Sequence, residues 1–136
     1  MKPDDEKQVL KAALAVRELA YAPYSNFAVG AAILDEAGRI HSGCNVENAA
    51  YPQGQCAEAN AIGAMRAGGG LRIMMIAIAG PDGRPCPPCG GCRQRIREFA
   101  GPDMLIILGD ATGVSARYRL ADLLPHAFGP DVINGR

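Results

Sequence analysis

Residues 56–108, CAEANAIGAMRAGGGLRIMMIAIAGPDGRPCPPCGGCRQRIREFAGPDMLIIL, carry the pattern that decides the fold. After Cys56, the residues Ala57, Ala61, Ile62 and Met65 recur at helical spacing over 56–66, until Gly68, Gly69 and Gly70 stop the run. Residues 73–79 are then continuously apolar, as in a strand buried on both faces. A proline-rich loop, 81–88, leads to a second helical segment at about 89–99, and 104–108 reads as the next buried strand. Such alternation predicts parallel strands joined through helices. Outward from this segment, Val9, Leu10, Ala13, Leu14, Val16 and Ala20 predict an amphipathic first helix over 4–21, stopped by Pro23. Residues 27–34 and 39–46 read as strands joined by a tight turn at Glu36, Ala37 and Gly38, which requires an antiparallel hairpin. Alternation at Val114, Ala116, Tyr118 and Leu120 predicts a last edge strand, and 120–124 a short helix. The expected fold is a three-layer α/β/α arrangement around a mixed sheet of about five strands. At 136 residues the chain has room for a single domain, 1–136.

Chemistry concentrates at the two helix starts inside this segment. Cys56, Cys89 and Cys92 supply the three protein ligands of a catalytic zinc, which leaves a fourth position open to water. At a helix start the unpaired N–H groups and the positive end of the macrodipole favour thiolate, the form that binds metal. Glu58 follows Cys56 by two residues and is not needed to complete a three-thiolate set, so proton transfer is its expected role. The spacing Cys86-x-x-Cys89-x-x-Cys92 also permits a closed four-cysteine structural site. Pro85, Pro87 and Pro88 hold the backbone around Cys86 extended, and three ligands on so short a segment would crowd. Cys86 and Cys44 are therefore expected as free thiols, and His41 and His126, away from ligand spacing, as surface residues.

The segments Asn45-Val46-Glu47-Asn48-Ala49-Ala50-Tyr51, Cys56-Ala57-Glu58 and Pro88-Cys89-Gly90-Gly91-Cys92-Arg93-Gln94 together closely resemble the small homotetrameric cytidine deaminases. Tyr24 to Ala32 and the pieces Leu123-Leu124-Pro125 and Phe128-Gly129-Pro130 extend the resemblance across nearly the whole chain. It implies one Zn²⁺ per chain on Cys56, Cys89 and Cys92, Glu58 as the proton shuttle, and deamination of cytidine and deoxycytidine. By the same resemblance, Phe27 stacks on the pyrimidine, Asn45 and Glu47 hold the ribose hydroxyls, and the Ala57 backbone helps fix the base. Asn45, Glu47 and Asn48 together favour an ordinary nucleoside over a modified one such as blasticidin S. Ala49, Tyr51 and Phe128 correspond to positions that complete a neighbouring subunit's site, which implies a homotetramer. One position departs from the pattern. Family members with three cysteine ligands usually carry arginine after the glutamate, and Ala59 stands there in this chain, leaving Arg93 as the expected source of a balancing cation. A non-catalytic zinc-stabilised subunit remains the alternative from another class.

Composition narrows the partners. Fourteen basic and fourteen acidic residues cancel, and no basic run of nucleic-acid type occurs, which disfavours a polymer substrate and favours a small-molecule nucleoside. No segment approaches the about 20 apolar residues of a membrane span, and the polar start of the chain lacks a secretory pattern. Five cysteines fit metal ligation in a reducing cytoplasm better than a disulfide framework.

Overall fold

The computed structural model describes residues 1–135. In chain order it forms α1 (Asp5–Arg17), β1 (Gly30–Asp35), β2 (Ile40–Cys44), a 3-10 turn at Tyr51–Gln53, α2 (Ala57–Ala67), β3 (Ile73–Ala79), α3 (Gly90–Arg97), β4 (Leu105–Asp110), β5 (Gly113–Arg119), α4 (Leu120–Leu123) and α5 (Pro130–Asn134). The five strands make one sheet in the order β2-β1-β3-β4-β5. Only β3 and β4 pair in parallel; the other neighbours are antiparallel.

Side-chain alternation along the central strands sorts the core into two layers. Ala31, Ile33, Ile76, Ile78, Ile106 and Leu108 face α2 and α3, meeting Ala61, Met65 and Ile96. Ala32, Leu34, Met75, Ala77 and Ile107 face α1, meeting Val9, Leu10 and Ala13. The three-layer α/β/α expectation therefore holds, with an apolar run in β3 that is buried on both faces from Met75 onward and exposed only at Met74. Two glycines set how closely helices approach. A Cβ on Gly30 would collide with the Ala13 carbonyl oxygen, and one on Gly43 with the Ala61 backbone nitrogen. The second contact seats α2, which carries Glu58, directly on β2.

The order of strands explains why both chemically rich helix starts meet. β2 and β3 each run antiparallel to β1 and so point the same way, and β4 is parallel to β3. Crossovers between like-directed strands are right-handed. Since β2 to β3 and β3 to β4 step in the same direction across the sheet, right-handedness puts α2 and α3 on one face. Both helices then start at the carboxyl ends of the strands that precede them.

Several expected boundaries move, each for a local reason. The first helix ends at Arg17 and not near 21, because the Tyr21 N–H donates to the Asn45 carbonyl at 3.0 Å and its own carbonyl accepts from Glu47 N at 2.8 Å. The first strand begins at Gly30 and not at Phe27, because side chains and not a neighbouring strand satisfy Phe27: Ser25 Oγ accepts from its N–H at 3.0 Å, and Asn45 Nδ2 donates to its carbonyl at 2.8 Å. Helix α5 was not expected from the sequence. Pro130 at its start and Gly135 as its left-handed cap (φ 71°) supply the local signals.

His41 is a correction. It is largely buried, and its Nε2 lies 2.7 Å from Oδ2 of Asp35, which is itself 1% exposed. The reason is the hairpin turn, where Asp35 also accepts from Ala37 N, Arg39 N and Arg39 Nε at 2.9 to 3.0 Å, so its buried charge needs every available donor. Burial alone would raise the Asp35 pKa; the hydrogen bonds from His41 and the turn, with the charge of Arg39, outweigh it and hold the carboxyl at about 2. A carboxyl depressed below its unfolded value of about 3.9 stabilises the fold fully above that pH and loses the contribution as pH falls through about 2. Urea unfolding measured between pH 4 and pH 2 should thus show a steep loss of stability that Asp35→Asn flattens. An equal slope in the variant would remove Asp35 from that role.

Candidate metal and active site

Three cysteines reach one point from two helix starts. Cys56 is the N-cap of α2 and Cys89 the N-cap of α3, both with extended backbone, while Cys92 lies in the first turn of α3. Their sulfurs all lie within 4.8 Å of one another. Three ligands on a tetrahedron with Zn–S near 2.3 Å would be roughly 3.8 Å apart, so this donor set fits a zinc ion in number, chemistry and scale. Cys86 is not part of the cluster; it packs against the apolar layer beneath α2 and α3, and burial raises its pKa to about 11. A closed four-cysteine site thus lacks its fourth ligand.

The helix-start argument for thiolate holds for one ligand of the three. Backbone N–H groups of Cys92 and Gly91 keep the Cys89 pKa below its ordinary value. Burial pushes Cys56 and Cys92 upward, and for Cys92 the neighbouring charges of Glu58 and Cys56 add to it. Only a cation among these groups turns that balance toward thiolate, which is what ligation of a divalent metal does.

Glu58, at the second position of α2, is 6% exposed and next to Cys92. Burial raises its pKa, so this carboxyl is suited to hold and release a proton. Ala57 is buried beside it. Asn60, one turn after Cys56, donates from Nδ2 to the Cys44 carbonyl at 2.8 Å and ties α2 to the end of β2.

The expected substrate contacts divide into two groups. Asn45 and Glu47 face the same segment, 24–29. Asn45 Oδ1 accepts from Val29 N at 2.9 Å while its Nδ2 donates to Phe27, and Glu47 Oε1 accepts from Tyr24 N at 3.0 Å and Ser25 N at 3.1 Å. The Ser25 hydroxyl also donates to Glu47, and that bond is the main reason the Glu47 pKa is lowered. Both side chains therefore fix the loop bearing Phe27, while one Asn45 N–H and one acceptor site on Glu47 Oε2 stay available. Phe27 packs on the core with one part of its ring, and Arg84 lies 5.5 Å from its centroid. Tyr24, Ser25, Glu47, Asn48, Tyr51 and Gly54 line a cleft of about 320 Å³ whose edge stops two residues before Cys56. Ala49 is exposed, and the Asn48 side chain accepts from Ala50 N. Phe128 is 57% exposed, its carbonyl held by Gln94 Nε2 of α3 at 2.8 Å. His126 is exposed, as expected.

Arg93 does not balance the thiolates. Its Nε donates to the Pro88 carbonyl at 2.7 Å and its Nη1 to the Leu123 carbonyl at 2.8 Å, because a residue one position after Cys92 points about 100° around the helix from it. Arg95 is the cation on the cysteine side, with Nη1 4.0 Å from Cys92 Sγ. The sequence signal for it was the spacing of three from Cys92, which puts both on one helix face.

A family model described as "Cytidine and deoxycytidylate deaminase zinc-binding region" matches residues 3–108. The chain is 38% identical over 130 residues to a cytidine deaminase of Halalkalibacterium halodurans, covering 96% of this chain and 98% of that one. It is 46% identical over 112 residues to a cytidine deaminase of Mycobacterium tuberculosis, covering 82% and 80% of the two chains. The crystal structure of a cytidine deaminase from Burkholderia pseudomallei superposes with a TM-score of 0.84 at 41% identity, covering 94% of this chain and all of that one.

Proposed function

Since the chain belongs to the cytidine and deoxycytidylate deaminase family, we propose that it is a zinc-dependent hydrolase that converts cytidine, and deoxycytidine, to the uridine counterpart and ammonia. The observation that carries this reading is the buried Glu58 beside three sulfurs within 4.8 Å of one another. Zinc held by Cys56, Cys89 and Cys92 would supply the Lewis acid that lowers the pKa of a bound water toward about 7. Glu58 does the proton work: it takes a proton from the attacking water, delivers it to N3 as oxygen adds at C4, and passes a second proton to the amino nitrogen, which leaves as ammonia. One water is consumed and no redox partner is required.

Substrate orientation falls to the residues around this centre. Phe27 offers a ring for the pyrimidine, the Ala57 backbone helps fix the base, and the free capacity of Asn45 and Glu47 suits the paired donor and acceptor needs of ribose hydroxyls. Asn48 lines the cleft beside Glu47. The whole of 1–136 acts as one deaminase domain on a free nucleoside, in the cytoplasm. Among the described residues no helix is long and apolar enough to cross a membrane. The test is direct: zinc-loaded protein mixed with cytidine should convert the ultraviolet spectrum to that of uridine while ammonia accumulates. A zinc-replete preparation that leaves cytidine unchanged would refute the reading.

The exposed aromatics support an oligomeric reading. Tyr51 is 74% exposed and Phe128 57%, and both complete a neighbour's pocket in a homotetramer of the family type. Truncating an exposed side chain shifts folding by only about 0.5 kcal/mol, whereas an aromatic anchor at a shared site contributes more than about 1 kcal/mol. Phe128→Ala should therefore raise KM about fivefold or more with little change in Tm, and the wild type should sediment as a tetramer at assay concentration. A fully active monomer in the ultracentrifuge would end this proposal.

A further inference from the structure

Three thiolates and one Zn²⁺ sum to a charge of −1, held in a partly buried site beside a carboxyl that burial already strains toward neutrality. We propose that Arg95 is the positioning residue that balances this charge, its guanidinium lying against the cysteine cluster one helical turn beyond Cys92.

Four observations converge on it. Arg95 Nη1 is 4.0 Å from Cys92 Sγ, the one hydrogen-bonding side-chain partner Arg95 has among the described residues. The same nitrogen lies over Gly91: a Cβ there would be 3.0 Å from Nη1 and 4.0 Å from Cys89 Sγ, so the guanidinium fills the place that a side chain at 91 would take beside a second ligand. Ala59 on α2 lines the same groove as Arg95, and its short side chain leaves the groove open to the arginine. The neighbouring arginines of α3 are committed elsewhere, Arg93 to two carbonyls and Arg97 to Asp131. Burial raises the pKa of Cys56 and of Glu58, and the positive charge of Arg95 acts through space against that rise in both. With Arg95 counted, the charge of the centre returns to zero. Thiolates facing a cation donate less electron density to their metal, which makes that metal the stronger Lewis acid.

This inference rests on the deaminase reading with a metal at the three sulfurs, and the test separates the two. Cobalt-substituted wild type should show thiolate-to-cobalt charge-transfer bands and convert cytidine; failure of both would overturn the deaminase reading itself. Given both, Arg95→Gln should move those bands to lower energy, because the sulfur lone pairs lose their stabilising charge. It should also lower kcat about tenfold or more with KM within about threefold. Arg95→Lys, which keeps the charge on a shorter reach, should fall between. Adding Ala59→Arg to Arg95→Gln should return both band energy and kcat toward wild type, since position 59 opens on the same groove. Unchanged bands in Arg95→Gln overturn the assignment whatever kcat does, because a packing role would not move them.

Discussion

Glu58→Gln should keep one zinc per chain and an intact fold while turnover falls at least about 10²-fold, close to 3 kcal/mol of transition-state stabilisation. Glutamine has nearly the same shape, so α2 still seats on β2 through Gly43 and the three sulfurs keep their places. What disappears is a group able to accept and return a proton. Because burial raises the Glu58 pKa, this carboxyl exchanges protons more readily near neutrality than an exposed glutamate, and no other carboxylate among the described residues is both buried and beside the cysteines. Zinc content by elemental analysis, thermal unfolding and cytidine turnover measured on one preparation separate these effects. Turnover within a few-fold of wild type would show that another group moves the proton.

Cys89→Ser should remove the metal and the activity together while sparing the helix. Serine is a preferred N-cap residue, so the start of α3 keeps or improves its capping, and Cys89 is exposed, so no packing is lost. The ligand set nevertheless falls from three thiolates to two. Changes to groups that merely orient a metal ligand cost about 10- to 100-fold in affinity, so loss of a ligand should exceed about 10². After dialysis against a chelator, wild type should retain one zinc and Cys89→Ser close to none, with cytidine conversion lost in parallel. Retention of one zinc in the variant would move the metal away from this cluster, and with it the reading of Glu58. The pair of variants thus isolates proton transfer from metal binding, the first losing rate with metal, the second losing both.

Much of the fold was legible because it rests on short-range patterns. The apolar run of β3, the hairpin turn before Arg39 and the helical repeats after Cys56 and Cys89 each reflect burial on a period fixed by backbone geometry. Boundaries were less legible where side chains substitute for a neighbouring strand. Phe27 reads as a strand residue, yet Ser25 and Asn45 satisfy its backbone; Tyr21 reads as helical, yet residues 45–47 claim its N–H and carbonyl. His41 reads as a surface residue until the burial of Asp35 demands its ring.

By itself the sequence named three cysteines as candidate ligands, Glu58 as the candidate proton carrier and the two helix starts that hold them, since residue chemistry and local periodicity need no distant partner. The tertiary structure decided what depends on juxtaposition. The shared direction of β2 and β3 brings the start of α2 to that of α3, Asn45 and Glu47 turn toward the loop of Phe27, and Arg95, not Arg93, faces the thiolates. A side chain's partner across the fold is set by handedness and by its angle around the helix, and neither is written in the identity of the residue alone.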